Sequence, residues 1–399
     1  MIGDPAARGR LPRTVVVLGF VSFLNDGASE MVAPLIPVFL TAALGAGPAV
    51  LGLIEGVAEA LASVLKYLSG RLVDLGWQPK RLVVGGYGVA NLARPLIGFA
   101  VSWPYVLLLR AVDRIGKGIR TAPRDALLAG SVEVKNRGRA FGFHRSMDHA
   151  GAVLGPLLAF ALMSAGVRLE RVFFSSALVG LVLMLLVTMG IPGEARKATV
   201  EAPVQLGWRG LDPQGRLLVG ATGALAFSAV PEAFIVLWAL SHGLMLEAVP
   251  LVWATASAAK MAVALPAGTI ADRVGHAPVL LGGWLLRVLI LALLSVTAAG
   301  GVLVWILFIA YAVSLALTEP SERAFIGNHT PLEQRGTAYG WYYLLCGVLV
   351  LPGSLLFGVI WQRFGEPAAF MSAAALTALT AMTVVTLGRR RAWTEVRRP

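Results

Sequence analysis

The sequence is poor in charged residues and in cysteine. Lysine, arginine, aspartate and glutamate together make up 14% of the 399 residues, against about 25% in an ordinary globular domain. The single cysteine, Cys346, excludes an intrachain disulfide framework. The chain also lacks the Gly-x-x-x-x-Gly-Lys-Ser/Thr loop that binds nucleotide phosphates, so a protein driven by nucleotide hydrolysis is not expected.

Apolar residues take the place of the missing charges. Hydrophobic residues make up 57% of the chain, and its mean hydropathy is +0.75. A helix needs about 20 residues to cross a bilayer core of roughly 30 Å, and twelve apolar runs are long enough. They predict an all-α membrane protein with helices near 14–40, 49–70, 82–101, 104–129, 141–165, 171–191, 216–242, 248–271, 277–299, 302–326, 336–361 and 367–388.

The sequence repeats itself at an offset of 198 residues. Gly-Arg-Leu-Val-Asp at 70–74 is similar to Gly-Thr-Ile-Ala-Asp at 268–272, and the segment at 138–142 is similar to the one at 336–340. Duplicated apolar units are how many membrane transporters are built. The repeat predicts two pseudo-symmetric six-helix halves and a connector: an N-terminal half at 1–192, a cytoplasmic linker at 193–215, and a C-terminal half at 216–399 that ends in a short basic tail.

Basic residues cluster on one predicted side of the membrane. Short cytoplasmic loops are enriched in lysine and arginine, which predicts a multi-pass protein of the cytoplasmic (inner) membrane with both termini in the cytoplasm. The same asymmetry explains the net charge of +12 without a nucleic-acid partner. The basic positions include Arg8, Arg10, Arg13, Lys80, Arg81, Lys135, Arg137, Arg139, Arg196, Lys197, Arg209, Arg273, Arg389, Arg390 and Arg391.

The loop between predicted helices 2 and 3 carries Gly70 and Asp74, followed by Lys80 and Arg81. This loop and a second motif in predicted helix 5 resemble motifs of the major facilitator superfamily, although Leu75 replaces the usual arginine, and the likeness covers almost the whole chain. The resemblance implies the major facilitator fold, and it implies gating roles for Gly70, Asp74 and their counterparts in the second half, Asp272 and Arg273.

The second motif is Gly-x-x-x-Gly-Pro in predicted helix 5. It consists of Gly151, Gly155 and Pro156, with Ala159 where the family often has glycine. Small residues one turn apart let helices approach closely, and proline bends a helix. The pattern resembles that of proton-driven exporters of the drug:proton antiporter group. The alternative is that these residues only let two helices pack closely and say nothing about the direction of transport.

Predicted helix 4 is far more charged than a membrane helix normally is. At 100° per residue its charges fall within an arc of roughly 140°, and they must face protein or water because charge facing lipid is costly. We expect Arg110 or Arg114 to contact the substrate or a carboxylate counter-ion, and Arg120 to lie nearer bulk water. The charged positions are Arg110, Asp113, Arg114, Lys117, Arg120, Arg124 and Asp125.

Buried acids in other helices are candidates for proton coupling. Asp26 and Glu30 are four residues apart and share a face of helix 1. We predict proton-coupling roles for Asp26, Glu30, Asp148 and Glu232, the alternative being permanent ion pairs with the arginines of helix 4. The further cavity or substrate-binding candidates are Asn25, Glu59, Arg110, Asp113, Arg114, Arg145, His149 and Glu319.

The histidines of predicted helix 5 raise the question of a metal. Imidazole and carboxylate groups suit several divalent ions, which makes His144, Asp148 and His149 a weak candidate set. A spacing of five puts the two histidines about 140° apart on a helix. Hydrogen bonding within the charged network is therefore the favoured interpretation, and neither a metal site nor a cofactor is predicted.

These patterns favour a monomeric secondary transporter in a lipid bilayer rather than an enzyme. The leading hypothesis is proton-coupled export of a small solute by alternating access. The alternative is a proton-coupled symporter that imports a small organic solute. A more remote one is a membrane receptor or enzyme, which would need an added domain. The substrate stays open between a drug, an organic anion, a metal ion and a metal chelate.

Overall fold

The computed structural model describes residues 11–133, 136–191, 208, 213–298, 300–328 and 335–390. Within these ranges the chain forms helices and no β-strand. Each predicted apolar run corresponds to one long helical segment, so the predicted fold class is confirmed. The segments are α1 (Arg13–Ala43), α2 (Pro48–Asp74), α3 (Pro79–Phe99), α4 (Trp103–Gly130), α5 (Arg137–Ser164), α6 (Leu169–Gly190), α7 (Pro213–Ser228 and Glu232–Ser241), α8 (Val249–Val274), α9 (His276–Val296), α10 (Val302–Asn328), α11 (Arg335–Phe364) and α12 (Glu366–Arg390).

Most of these segments could cross a membrane by length and composition. Among the described residues, 10 helices are long and apolar enough. Helix α4 is not one of them, because its stripe of charged residues lowers its hydropathy. A helix of this kind is tolerated in a bilayer only when its charged face is turned toward protein or water.

Two helices are interrupted at corresponding places in the halves. Helix α1 loses its regular turn at Ala33 and Pro34, and α7 is broken at 229–231, where Pro231 precedes its second part. The two prolines lie within one residue of the 198-residue repeat. Proline removes a backbone donor and breaks the helix. Interrupted helices at equivalent positions of two repeats point to a binding site between them.

Helices α2 and α11 join the two halves through small residues. A Cβ atom at Gly52 would overlap the backbone of Ser354, and one at Gly56 would come within 2.8 Å of the Cα of Leu351. The Ser354 hydroxyl donates to the carbonyl of Gly52 at 2.9 Å. Glycine at these positions lets the two backbones come closer than side chains would allow.

The apolar core shows which end of the bundle is closed. We call the end where α1 begins and α12 finishes the terminal side. Toward the other side one continuous core contains residues of both halves, including Ile36, Phe173, Trp238 and Phe370. On the terminal side the described core residues form separate clusters, for example around Tyr87 in one half and others in the second half. The space between the halves therefore opens toward the terminal side.

Candidate functional site

Two adjoining cavities lie between the halves. The central cavity has a volume of about 560 Å³ and the lower cavity, toward the terminal side, about 570 Å³. Both touch Leu315 and Glu319 of α10. The polar lining of the central cavity is Glu30, Glu55, Arg110, Arg114, Arg145, His149, Glu232, Trp253, Ser257, Lys260 and Glu319. The lower cavity is lined by Glu59, Ser63, Lys66, Lys117, Thr121, Thr222, Arg287, Thr318, Glu319, Glu322, Tyr342, Tyr343 and Cys346, among others.

Glu30 joins the two halves across the central cavity. The indole nitrogen of Trp253 in α8 donates to Oε2 of Glu30 in α1 at 2.8 Å. Glu232 begins the second part of α7 and accepts from Lys260 of α8 at 2.9 and 3.0 Å. Arg145 of α5 lies 3.9 Å from Glu319 of α10, which makes a second polar contact across the central cavity. The interrupted helices thus bring two of the predicted proton-coupling carboxylates to the cavity wall.

Asp26 and Asp148 lie behind the cavity, inside the N-terminal half. Asp26 accepts a hydrogen bond from the Asn25 amide at 2.9 Å, and it packs where α1 meets Gly151 of α5. Oδ2 of Asp148 is 3.5 Å from Nδ1 of His144, and its Oδ1 is buried without a hydrogen-bond partner in the described structure. Although Asp26 and Glu30 are four residues apart, they therefore have different surroundings.

Asn25 and Asp113 were expected in the cavity, but the structure places both elsewhere. Asn25 is 2% and Asp113 1% exposed. Arg94 of α3 donates from Nε to Oδ1 of Asp113 at 2.8 Å and from Nη2 to Oδ1 of Asn25 at 3.1 Å. The cavity expectation is wrong for these two residues, because a buried arginine of α3 draws both side chains into the junction of α1, α3 and α4.

The charged stripe of α4 divides among three environments. Arg110 and Arg114 line the central cavity, and Lys117 lines the lower one. Arg120 is only 4% exposed and lies over the ring of Tyr87 at 4.5 Å. The expectation that Arg120 lies near bulk water is therefore wrong, since the aromatic ring of α3 covers it.

Arg110 makes two ion pairs. Its guanidinium is 3.3 Å from Glu55 of α2 and 3.5 Å from Asp113. Because Asp113 also binds Arg94, these groups form a continuous chain of charges from the cavity wall into the N-terminal half. Both ion pairs are structural, so Arg110 is less free to bind a substrate.

The residues of the first motif lie at the terminal side. Gly70 packs next to Ala122 of α4, and the side chain of Asp74 is exposed at the end of α2. Arg273 is exposed near the end of α8. The side chain of Asp272 lies outside the described residues. The two halves are separated on this side in the present conformation.

The glycines of the second motif form a seam with α1. A Cβ atom at Gly151 would overlap the carbonyl of Phe23, and one at Gly155 would overlap the carbonyl of Gly27. Pro156 follows directly within α5. The seam lies inside the N-terminal half, beside Asp26. A substitution that pushes the two helices apart would therefore displace a predicted proton-coupling residue.

We expect Gly155→Val to destabilise the protein by about 1–3 kcal/mol, because overpacking forces two helix backbones apart. Thermal unfolding of the purified protein in detergent measures the effect. Gly142→Val is the matched control, since a Cβ at Gly142 of the same helix meets nothing within 4 Å. Equal melting temperatures of the two variants would contradict the close seam.

The histidines of α5 have separate surroundings. His144 is 3% exposed and faces Asp148, whereas His149 lines the central cavity. Among the described residues no three His, Cys, Asp or Glu side chains are grouped so as to hold a metal ion. The weak metal-site alternative therefore finds no support in this part of the chain.

Sequence reasoning missed Arg94 and Trp253. Arg94 interrupts the apolar run of α3 just before Pro95, and that isolated charge was a usable signal. Nothing in the local sequence distinguishes Trp253 from other tryptophans in apolar segments. Its role depends on a partner in the other half of the chain.

Comparison with known proteins identifies the family. A sequence model of the Major Facilitator Superfamily matches residues 18–349. The chain belongs to this superfamily. It is 27% identical over 359 residues to an uncharacterized MFS-type transporter of Methanocaldococcus jannaschii, covering 88% of this chain and 89% of that protein.

A further relative and a similar solved structure have names that describe a function. The chain is 28% identical over 155 residues to the multidrug resistance protein MdtH of Aeromonas hydrophila, covering 39% of this chain and 36% of MdtH. The crystal structure of the nucleoside transporter NupG has a TM-score of 0.77 at 12% identity, covering 94% of this chain and 98% of that chain. The protein is thus a multi-pass membrane transporter of a small molecule rather than an enzyme.

Proposed function

We propose that the protein exports a small solute in exchange for protons by alternating access. The observation that carries this proposal is the hydrogen bond between Trp253 and Glu30 across the central cavity. Rocking of one half against the other must break a contact of this kind. Glu30 would then change its surroundings together with the direction in which the cavity opens, which is the linkage that proton coupling needs.

Two observations support export, in the manner of the drug:proton antiporters. Gly151, Gly155 and Pro156 form the seam beside Asp26, and part of the chain is similar to MdtH, whose name describes multidrug resistance. In this proposal Asp26 and Asp148 carry or relay the proton behind the cavity, while Glu30 and Glu232 face the solute.

The terminal side is proposed to be the cytoplasmic side of the inner membrane. Basic residues concentrate there, as cytoplasmic loops require. The cavity would then be open to the cytoplasm, ready to accept a solute for export. Gly70, Asp74, Asp272 and Arg273 lie at the ends of α2 and α8 on this side, where gating contacts would form on closure. The two halves would move as units joined by the linker at 193–215.

Proton movement in inverted vesicles separates export from import. In these vesicles the cytoplasmic face is outside, and a pH-sensitive dye reports the lumen. With ethidium, benzoate, citrate or Ni²⁺ added outside, antiport of one of them moves protons out and makes the lumen more alkaline. Symport moves solute and proton inward together and acidifies the lumen, which would overturn the export proposal. Vesicles without the protein give the baseline.

A further inference from the structure

We propose that Arg114 and Lys117 form a subsite for the anionic group of the substrate, so that the transported solute is a small organic anion. The two residues stand at the junction of the central and lower cavities. This inference rests on the proposed transport function and names the substrate class for the same cavity.

The other cations of the central cavity already have acidic partners. Arg110 pairs with Glu55 at 3.3 Å, and Lys260 pairs with Glu232 at 2.9 Å. Arg145 lies 3.8 Å from Asp148 and 3.9 Å from Glu319. In each pair the acid neutralises the cation, so these cations do not need a charged ligand.

Arg114 and Lys117 differ from these cations. Within the described structure neither side chain makes a hydrogen bond, and neither has a carboxylate oxygen within 4.0 Å. The Nε atom of Arg114 is buried without a partner. A guanidinium at this depth in a membrane is costly unless water or an anion compensates it.

Position makes the two residues a pair that a ligand can reach. They are three residues apart on α4 and therefore share one face of the helix. Arg114 is half-buried in the wall of the central cavity, whereas Lys117 is exposed in the lower cavity. A solute that enters from the terminal side meets Lys117 first and Arg114 next.

The acids around this pair make no close ion pair with it. Glu59 of α2 lines the lower cavity with Lys117, but it lies beyond ion-pair distance of both cations, since no salt bridge within 4.0 Å joins them. Glu55, one turn away, is engaged by Arg110. Glu30 also lines the central cavity with Arg114, but it accepts from Trp253. Arg114 and Lys117 therefore keep N–H donors that no carboxylate of the described structure accepts. A ligand with one or two negative charges would accept from these donors.

The chemistry of the site favours an organic anion over an inorganic one. A planar guanidinium binds two oxygens of a carboxylate or phosphate side by side, and an ammonium adds a point charge. The facing wall offers apolar surface from Leu315, Ala316 and Ala229. A carboxylate, sulfonate or phosphate joined to an apolar group would fit both features, whereas a cationic drug would find no acidic partner at Arg114 and Lys117.

Binding can be measured without transport by using the single native cysteine. Cys346 lines the lower cavity together with Lys117, so a bound anion should protect it from a maleimide reagent. The purified full-length protein is tested with benzoate, benzenesulfonate and phenyl phosphate, with the neutral benzamide, the cationic benzylamine and inorganic phosphate as comparison probes. Thermal unfolding with the same probes gives an independent measure of binding.

We expect at least one of the organic anions to slow labelling and raise the melting temperature more than benzamide does. Arg114→Gln and Lys117→Gln should each weaken its apparent affinity about tenfold or more, because each removes a charged partner. Arg114→Lys should restore part of the affinity. Arg363→Gln makes the same change of charge at an exposed position at the end of α11 and should bind normally.

The opposite results would overturn the inference. These are protection by none of the three organic anions beyond that of benzamide, stronger protection by benzylamine, or affinity unchanged in both Arg114→Gln and Lys117→Gln. Inorganic phosphate binding as well as phenyl phosphate would reject the organic class. Anion binding that persists while vesicles show no proton exchange would retain the subsite and reject the antiport proposal, so the two failures are distinguishable.

Discussion

Replacing Glu30 with glutamine is expected to abolish proton-coupled transport and leave the protein folded. Glutamine keeps the shape of the side chain, and its carbonyl can still accept the hydrogen bond from Trp253, which is 2.8 Å long in the native protein. It cannot bind and release a proton. A positioned proton-transfer group contributes about 10²–10⁴-fold in rate, so flux driven by a pH gradient in proteoliposomes should fall by about 100-fold or more.

Two comparisons make this result specific. Glu247→Gln removes a carboxylate at an exposed position in the turn before α8 and should transport normally. Asp26→Asn should also lose pH-driven flux, because Asp26 lies beside the seam between α1 and α5. If a protein carrying both Glu30→Gln and Asp26→Asn kept the native pH dependence, neither residue could be the coupling site.

Replacing Arg94 with methionine is expected to destabilise the protein by about 3 kcal/mol, the lower end of the range for a broken buried ion pair, because the buried carboxylate of Asp113 loses its closest partner and keeps only the longer contact with Arg110. The pair is 2.8 Å apart, with side chains 4% and 2% exposed. Thermal and denaturant unfolding in detergent measure the loss. Adding Asp113→Asn to Arg94→Met should recover part of it, because the buried charge that lost its closest partner is then removed as well.

A surface arginine provides the control for this second prediction. Arg168 is 75% exposed and lies 3.4 Å from Glu170 at the start of α6. An exposed pair of this kind contributes little to stability, so Arg168→Met should melt close to the native protein. Equal losses from Arg94→Met and Arg168→Met would show that the buried chain of charges does not stabilise the fold. A double variant no more stable than Arg94→Met would reject the weakened neutralisation of the Asp113 carboxylate as the cause.

The candidate site was only partly predictable from the sequence. Charged residues in an apolar helix must face protein or water, and by that rule we expect Arg110 and Arg114 of α4 to face the interior. Both side chains line the central cavity. The rule does not say which partner each charge meets. Asp113 and Arg120 lie on the same stripe, yet both turn toward α3, where Arg94 and the ring of Tyr87 receive them.

The sequence by itself determined the helices and their duplication. A bilayer requires about 20 apolar residues for each crossing, so hydropathy marks most of the segments, the charged helix α4 falling short, and the repeat at 198 residues marks the halves. Only the tertiary structure decided which charges are neutralised and where the cavity opens. Ion pairs such as Arg94 with Asp113 and contacts such as Trp253 with Glu30 join residues far apart in the chain. They form within a few ångströms, a distance that helix packing sets and that no local pattern encodes.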